Sequence, residues 1–228
     1  MSASRAAMLL SQNPMAVALR ERAPVLYLVT DRRGRSADWL CGHVEKCIEG
    51  GVDIVQLREK AMPDDEFESL AVQLLDITRR MGVPLVINDR VDIAAKIGAP
   101  SVHVGRKDGP LPDLVSRAGA DSFIGFSIDA DNQKSEVPSE AHLIGVGPIW
   151  ATKTKKDAAV PMGTANLQDV IARSPVPAVA IGGVNELTIA DTIRHGCVGA
   201  CVVGELMDAE DPVATAQRLK KLMRDAMA

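Results

Sequence analysis

Residues 84–105 read PLVINDRVDIAAKIGAPSVHVG. Two short apolar runs, PLVIND (84–89) and SVHVG (101–105), flank VDIAAKIGAP, whose apolar residues recur at helical spacing. The runs are almost continuously apolar rather than alternating, which suits parallel strands buried on both faces. A parallel pair needs a crossover, and the helical segment supplies it. The stretch is therefore a strand–helix–strand unit, and the same rhythm extends in both directions.

Upstream lie VLYLVT (25–30) and DIVQLR (53–58), and downstream FIGFS (123–127), HLIGVG (142–147), AVAIGG (178–183) and GACVVG (199–204). Between them stand segments with helical spacing. WLCGHVEKCIEGG stops on Gly50 and Gly51, as helix C-termini often do. PDDEFESLAVQLLDITRRMG opens with acids and closes on Arg79 and Arg80, complementing the helix dipole. LPDLVSRAGA, NLQDVIARSP, NELTIADTIRHG and DPVATAQRLKKLMRDAM continue the series. DADNQKSEVPSE, after the fifth strand, is the weakest and is expected to form at most a turn or two. Eight alternations predict an α/β protein of the (β/α)8 barrel (TIM-barrel) class; an open doubly wound sheet is the alternative, and eight units are many for it. Residues 1–23 are expected to form a short helical N-terminal extension, and 24–228 one barrel domain, because no linker-like shift in composition divides them.

The chain of 228 residues is long enough for a full core. Its formal charge of -4 argues against nucleic acid as a partner, since phosphate-backbone binding calls for a basic surface. No apolar run approaches the ~20 residues that span a bilayer, and the N-terminus lacks a long uninterrupted apolar region. The four cysteines form no C-x-x-C pair and read as reduced packing residues. The expectation is a cytoplasmic protein, compatible with a homo-oligomer, that binds neither membrane nor nucleic acid.

In such a barrel the functional residues gather at the C-terminal ends of the strands. The second strand runs into Gln56, Arg58 and Lys60, which alternation places on one side, with Leu57 and Glu59 opposite. A Gln donor and two cations suit a phosphate or diphosphate. The third strand ends Asn88-Asp89-Arg90, and the fourth leads through HVGRKD to Asp108. Two carboxylates beside phosphate oxygens are the makings of a Mg²⁺ site. Ser127 ends the fifth strand with a hydroxyl donor. The sixth opens into GPIWATKTKKDA (147–158), where Thr152, Thr154 and Lys155 add hydroxyl and ammonium donors. Gly182 and Gly183 after the seventh strand, and Gly204 after the eighth, let backbone N–H groups approach a second phosphate. For Asp89 and Ser127 a helix N-cap is the plain alternative; for the basic loop it is a solvated face. His43 and His195 read as surface or packing residues and His142 as structural; His103 alternates with Val102 and Val104 and is expected to point inward. No nucleophile with a partnered base stands out.

QLREK (56–60), INDR (87–90), HVGRKD (103–108), GFS (125–127), GPIWATKTKKDA, GTANL (163–167) and AIGGV (180–184), at successive strand ends, together resemble the thiamine-phosphate synthase family from residue 27 onward. The resemblance implies a (β/α)8 enzyme with two small phosphorylated substrates. It would join 4-amino-2-methyl-5-hydroxymethylpyrimidine diphosphate to 4-methyl-5-hydroxyethylthiazole phosphate, with Mg²⁺, giving thiamine phosphate and pyrophosphate. It further implies that Gln56, Arg58, Lys60 and Asn88 hold the pyrimidine diphosphate, Asp89 and Asp108 the metal, and Ser127 and Lys155 the diphosphate side. Thr152, Thr154 and Gly183, with the backbone at Val203 and Gly204, would hold the thiazole phosphate. Arg58, Lys60, Ser127 and Lys155 would be the catalytic groups. The chain departs from the family pattern at Arg106, Ala151, Gly204 and Ile128-Asp129. Rival expectations are a thiazole tautomerase on the same fold, which would need an acid–base residue in place of the diphosphate machinery, and a non-catalytic phosphate-binding barrel.

Overall fold

The computed structural model describes residues 10–130, 135–152 and 160–228. Eight strands, β1 (Val25–Val29), β2 (Ile54–Leu57), β3 (Leu85–Asn88), β4 (Ser101–Val104), β5 (Phe123–Ile128), β6 (Leu143–Val146), β7 (Ala178–Ala180) and β8 (Gly199–Val202), close a barrel in chain order. Each pairs in parallel with its neighbours, and β8 returns to β1 through Val25↔Gly199 and Leu28↔Val202. The closed parallel barrel of the sequence reading is thus what the chain forms.

Alternation along each strand divides two cores. Val25, Tyr27, Val29, Ile54, Val86, Phe123, Leu143, Val179 and Cys201 fill the interior. Leu26, Leu28, Val55, Leu57, Leu85, Ile87, Val102, Ile144 and Val202 face outward, against the helices. Those are α2 (Ala37–Glu49), α3 (Asp64–Arg80), α4 (Val91–Ile97), α5 (Leu111–Ala118), α6 (Gly163–Arg173), α7 (Ile189–Arg194), a four-residue turn of helix α8 (Gly204–Met207) and α9 (Pro212–Asp225). Helix α3 carries Asp64, Asp65 and Glu66 in its first turn and Arg79 and Arg80 in its last, as expected from its sequence. The connection from β5 to β6 contains no helix among the described residues. Helix α8 is an addition the sequence reading did not anticipate.

The N-terminal helix α1 (Pro14–Arg22) closes the floor of the barrel. Its cap residue Asn13 accepts the Met15 N–H at 2.9 Å and donates its amide to the carbonyls of Pro100 (2.7 Å) and Asp121 (3.1 Å), just before β4 and β5. Met15 and Ala18 then insert into the interior cluster beneath Tyr27 and Phe123. Burying a Met-sized side chain contributes roughly 1.5–3 kcal/mol. On the same face a buried ion pair joins Lys220 of α9 to Asp53, which also accepts the Leu26 N–H at 2.8 Å. Lys220 donates further to the Pro24 carbonyl at 2.7 Å. With its floor sealed, the barrel opens at the C-terminal ends of its strands. No helix among the described residues is long and apolar enough to cross a membrane.

Candidate active site

The strand ends gather polar groups into two corners. The first is built by the loops after β2, β3 and β4. The Arg58 N–H donates to the buried Thr30 hydroxyl at 2.9 Å, which fixes the start of the β2 loop to the end of β1. Glu59 turns to the opposite side, as alternation requires, accepts the Arg32 N–H at 2.9 Å and pairs with the Arg32 guanidinium at 3.6 Å. Burial pushes the Glu59 carboxyl up, and the Arg32 contacts pull it partly back.

Lys60 is left facing the mouth, its ammonium 3.1 Å from a carboxylate oxygen of Asp89. Asp89 adopts φ 63°, a left-handed conformation uncommon outside glycine. Such strain persists where surrounding structure fixes it, and functional sites are where it concentrates. Here the Asp89 N–H is held by the His103 carbonyl at 2.9 Å, and the Val91 N–H by the Asp89 carbonyl at 3.0 Å. Asp108 comes in on a short 3-10 turn (Arg106–Asp108), its carboxylate accepting the Gly105 N–H at 2.7 Å. Burial raises the Asp108 carboxyl above its ordinary value, and the nearby Asp89 raises it further. Lys60 opposes the shift. Two carboxylates and an ammonium therefore converge; the sequence reading sets Asp89 and Asp108 together as a Mg²⁺ pair and Lys60 on the diphosphate beside them. Among the described residues no cluster of three or more His, Cys, Asp or Glu side chains occurs that could hold a metal without help from other ligands.

Arg90, assigned nothing from sequence, ties this corner together. Its guanidinium lies 4.1 Å over the Phe67 ring, donates to the Met62 carbonyl at 2.5 Å and to the Glu59 carbonyl at 3.4 Å, and pairs with exposed Asp64 at 3.3 Å. The loop carrying Lys60 is thereby anchored to the residue following Asp89. Only an Arg immediately after a polar strand end hinted at this, and its partners are tertiary.

Deeper in the mouth, Gln56 is buried and spends an amide N–H on the hydroxyl of Tyr27 at 2.9 Å. The sequence reading gave Gln56 a donor's part toward phosphate; Tyr27 takes one of its two amide N–H groups, and the second N–H and the carbonyl oxygen remain. Asn88 stands half-buried at the end of β3, level with His103 in register. His103 points into the barrel as alternation predicted, and its Nε2 lies 3.0 Å from the Ser127 hydroxyl. Burial drives the His103 imidazole down to about 4, so it is neutral at ordinary pH. The other histidines have structural partners: His43 Nε2 with the Leu206 carbonyl (2.8 Å), His142 Nδ1 with the Ile124 N–H (2.9 Å) and His195 Nδ1 with the Asp191 carbonyl (2.6 Å).

The second corner is made of backbone. Residues after β6 and β7 continue the strand pairing into the mouth: Ile149 N–H donates to the Ile181 carbonyl and Trp150 N–H to the Gly182 carbonyl, each at 3.0 Å. Gly182 and Gly183 are left-handed, φ 88° and 70°. A Cβ on Gly183 would lie 2.6 Å from the Trp150 Cβ and 2.7 Å from the Ala151 carbonyl oxygen, so only glycine lets the two loops interlock. Half-buried Thr152 follows directly. Val203 and Gly204 stand half-buried at the start of α8 on the neighbouring strand end. Thr154 and Lys155, like Lys153 and Lys156, lie outside the described residues.

Comparison with known proteins bears on this arrangement. The family described as thiamine monophosphate synthase matches residues 26–206. A thiamine-phosphate synthase of Chloroflexus aurantiacus is 41% identical over 202 residues, 87% of this chain and 92% of the relative. One from Desulfitobacterium hafniense is 36% identical over 201 residues, 88% of this chain and 97% of the relative. Among solved structures, a thiamine phosphate pyrophosphorylase from Pyrococcus furiosus superposes with a TM-score of 0.80 at 27% identity, covering 90% of this chain and 97% of that one.

Proposed function

Given that the chain belongs to the thiamine monophosphate synthase family, transferases that release pyrophosphate, we propose that its mouth condenses two substrates held in the two corners. These are 4-amino-2-methyl-5-hydroxymethylpyrimidine diphosphate and 4-methyl-5-hydroxyethylthiazole phosphate, and the product feeds thiamine biosynthesis. The observation that carries this reading is the convergence of Lys60, Asp89 and Asp108, with the Lys60 ammonium 3.1 Å from Asp89.

Asp89 and Asp108 would hold Mg²⁺. The donor set fits a hard cation: oxygen ligands only, pressed together so that the Asp108 carboxyl is raised by burial and by its neighbour. When bound, Mg²⁺ would neutralise charge on the diphosphate oxygens.

Arg58, Lys60 and Lys155 surround the same diphosphate and stabilise charge as the C–O bond to the pyrimidinylmethyl group breaks, a role worth several kcal/mol where water is excluded. Ser127 donates a hydrogen bond to it. Asn88 and Gln56 orient the aminopyrimidine, whose ring bears the cationic character that develops. The interlocked backbone at Gly183, with Thr152, Thr154, Val203 and Gly204, holds the thiazole phosphate so that the ring nitrogen faces the departing bond. Pre-orientation of two substrates supplies much of the remaining acceleration. No protein nucleophile is required.

The test is thiamine phosphate formation by the purified protein with both substrates and Mg²⁺. Product and pyrophosphate are expected in equal amounts, and neither when one substrate is omitted. Isomerisation of the thiazole alone, with no coupling, would instead support a tautomerase. Lys155→Ala is expected to depress turnover far more than Lys153→Ala.

A further inference from the structure

The proposed reaction leaves His103 without a task, although the barrel makes unusual room for it. His103 sits in the middle of the interior, paired in register with Asn88 on one side and Gly125 on the other. A Cβ on Gly125 would lie 2.4 Å from its Nδ1, and one on Gly145 would lie 3.0 Å from its Cε1. Two consecutive strands therefore give up an inward side chain so that one imidazole can lie across them. The ring's far nitrogen, Nε2, meets the Ser127 hydroxyl at 3.0 Å. The near nitrogen, Nδ1, is buried and finds no hydrogen-bond partner among the described residues.

These contacts select a tautomer. A neutral imidazole carries one N–H. On Nδ1 it would be a buried donor with no acceptor, the kind of orphan that folded proteins rarely tolerate. On Nε2 it donates to Ser127 Oγ, and the orphan is only a lone pair. We propose that His103 is a positioning residue, whose Nε2–H fills an acceptor site of Ser127 and so turns the serine hydroxyl into a hydrogen-bond donor toward the substrate diphosphate. This rests on the reading that Ser127 faces the diphosphate. The tightness around the ring keeps the imidazole from rotating, so Ser127 is oriented before substrate arrives.

Side-chain ¹⁵N NMR of the substrate-free wild-type protein reads the tautomer directly, with the His103 signal assigned by its loss in His103→Gln. The proton is expected on Nε2; a proton on Nδ1 overturns the proposal whether or not the protein is an active synthase. Kinetics supply the second arm. One hydrogen bond to an anion is worth about 10-fold or more in rate, so His103→Ala and Ser127→Ala are each expected to lower kcat by about that factor. The double variant should be no slower than Ser127→Ala alone, and His103→Gln, which presents an N–H near the Nε2 position, should recover part of the loss. Multiplying losses in the double variant, or no recovery in a His103→Gln protein with wild-type melting temperature, would show that His103 does not act through Ser127. Absence of synthesis by the wild type would refute the proposed function while leaving the NMR result to stand alone.

Discussion

Replacing Gly183 by Ala tests the interlocking of the two loops that form the second corner. Gly82 provides a matched control: its φ is 68° against 70° for Gly183, and a Cβ there would meet nothing within 4 Å. Both substitutions force alanine into the left-handed region, at about 1–2 kcal/mol. Only Gly183→Ala also drives a methyl against the Trp150 Cβ at 2.6 Å and the Ala151 carbonyl at 2.7 Å. Overlap of that kind, relieved by backbone movement, typically costs a further ~1–3 kcal/mol. Gly82→Ala should thus lower unfolding free energy by about 1–2 kcal/mol and Gly183→Ala by about 2–5 kcal/mol. The displaced segment leads straight into Thr152, so Gly183→Ala should also raise the KM for thiazole phosphate by about 10-fold, the cost of one lost charge-assisted contact. Urea unfolding and steady-state kinetics on both variants read these effects. Equal destabilisation by the two substitutions, with an unchanged KM in Gly183→Ala, would refute the interlocking argument.

Asp108→Asn should abolish synthesis yet stabilise the metal-free fold at neutral pH. The folded carboxyl is raised above its unfolded value, so the folded state holds the proton more tightly; its stabilising contribution is present below the usual carboxylate range and lost as pH rises through the raised value. The gain from Asp108→Asn in thermal melts should therefore shrink in acid, and a gain independent of pH would contradict the assignment. Lys220→Met leaves Asp53 buried without its cation and should cost about 3–5 kcal/mol in urea unfolding; a loss under 1 kcal/mol would mean the pair contributes little. Arg90→Lys keeps the charge but loses the fork and the stacking on Phe67. It should raise the KM for the pyrimidine diphosphate by about 10-fold while leaving that for thiazole phosphate near wild type, a split that steady-state assays resolve.

The barrel was legible because its strands are buried on both faces and so read as short apolar runs, as at 84–105. The inward side of β2 was legible too, since a period of two places Gln56 and Lys60 opposite Leu57 and Glu59. What those side chains spend their hydrogen bonds on was not. The commitment of Gln56 to Tyr27 depends on which strands become neighbours, and no local spacing encodes it. Arg90 escaped for the same reason: its partners Phe67, Met62 and Glu59 are distant in sequence. His103 could be placed indoors by alternation, but the room made for it at Gly125 and Gly145 emerges only once β4, β5 and β6 are registered. Helix α1 buries just Met15 and Ala18, too few apolar residues to announce from sequence that it seals the barrel floor. The parts assigned to Thr154 and Lys155 rest on resemblance, since both lie outside the described residues.

The central claim is that one mouth holds two anions in separate corners, one by cations and metal, the other by glycine-rich backbone. Calorimetric titration of Mg²⁺–pyrophosphate, the product mimic of the first corner, addresses it most directly. Wild type and Gly183→Ala should bind it with similar affinity, while Lys60→Ala and Asp89→Asn should each weaken binding about 10-fold or more, the loss of a charged contact. Weakening in Gly183→Ala as large as in Lys60→Ala, or undiminished binding in Asp89→Asn, would contradict the division of the site.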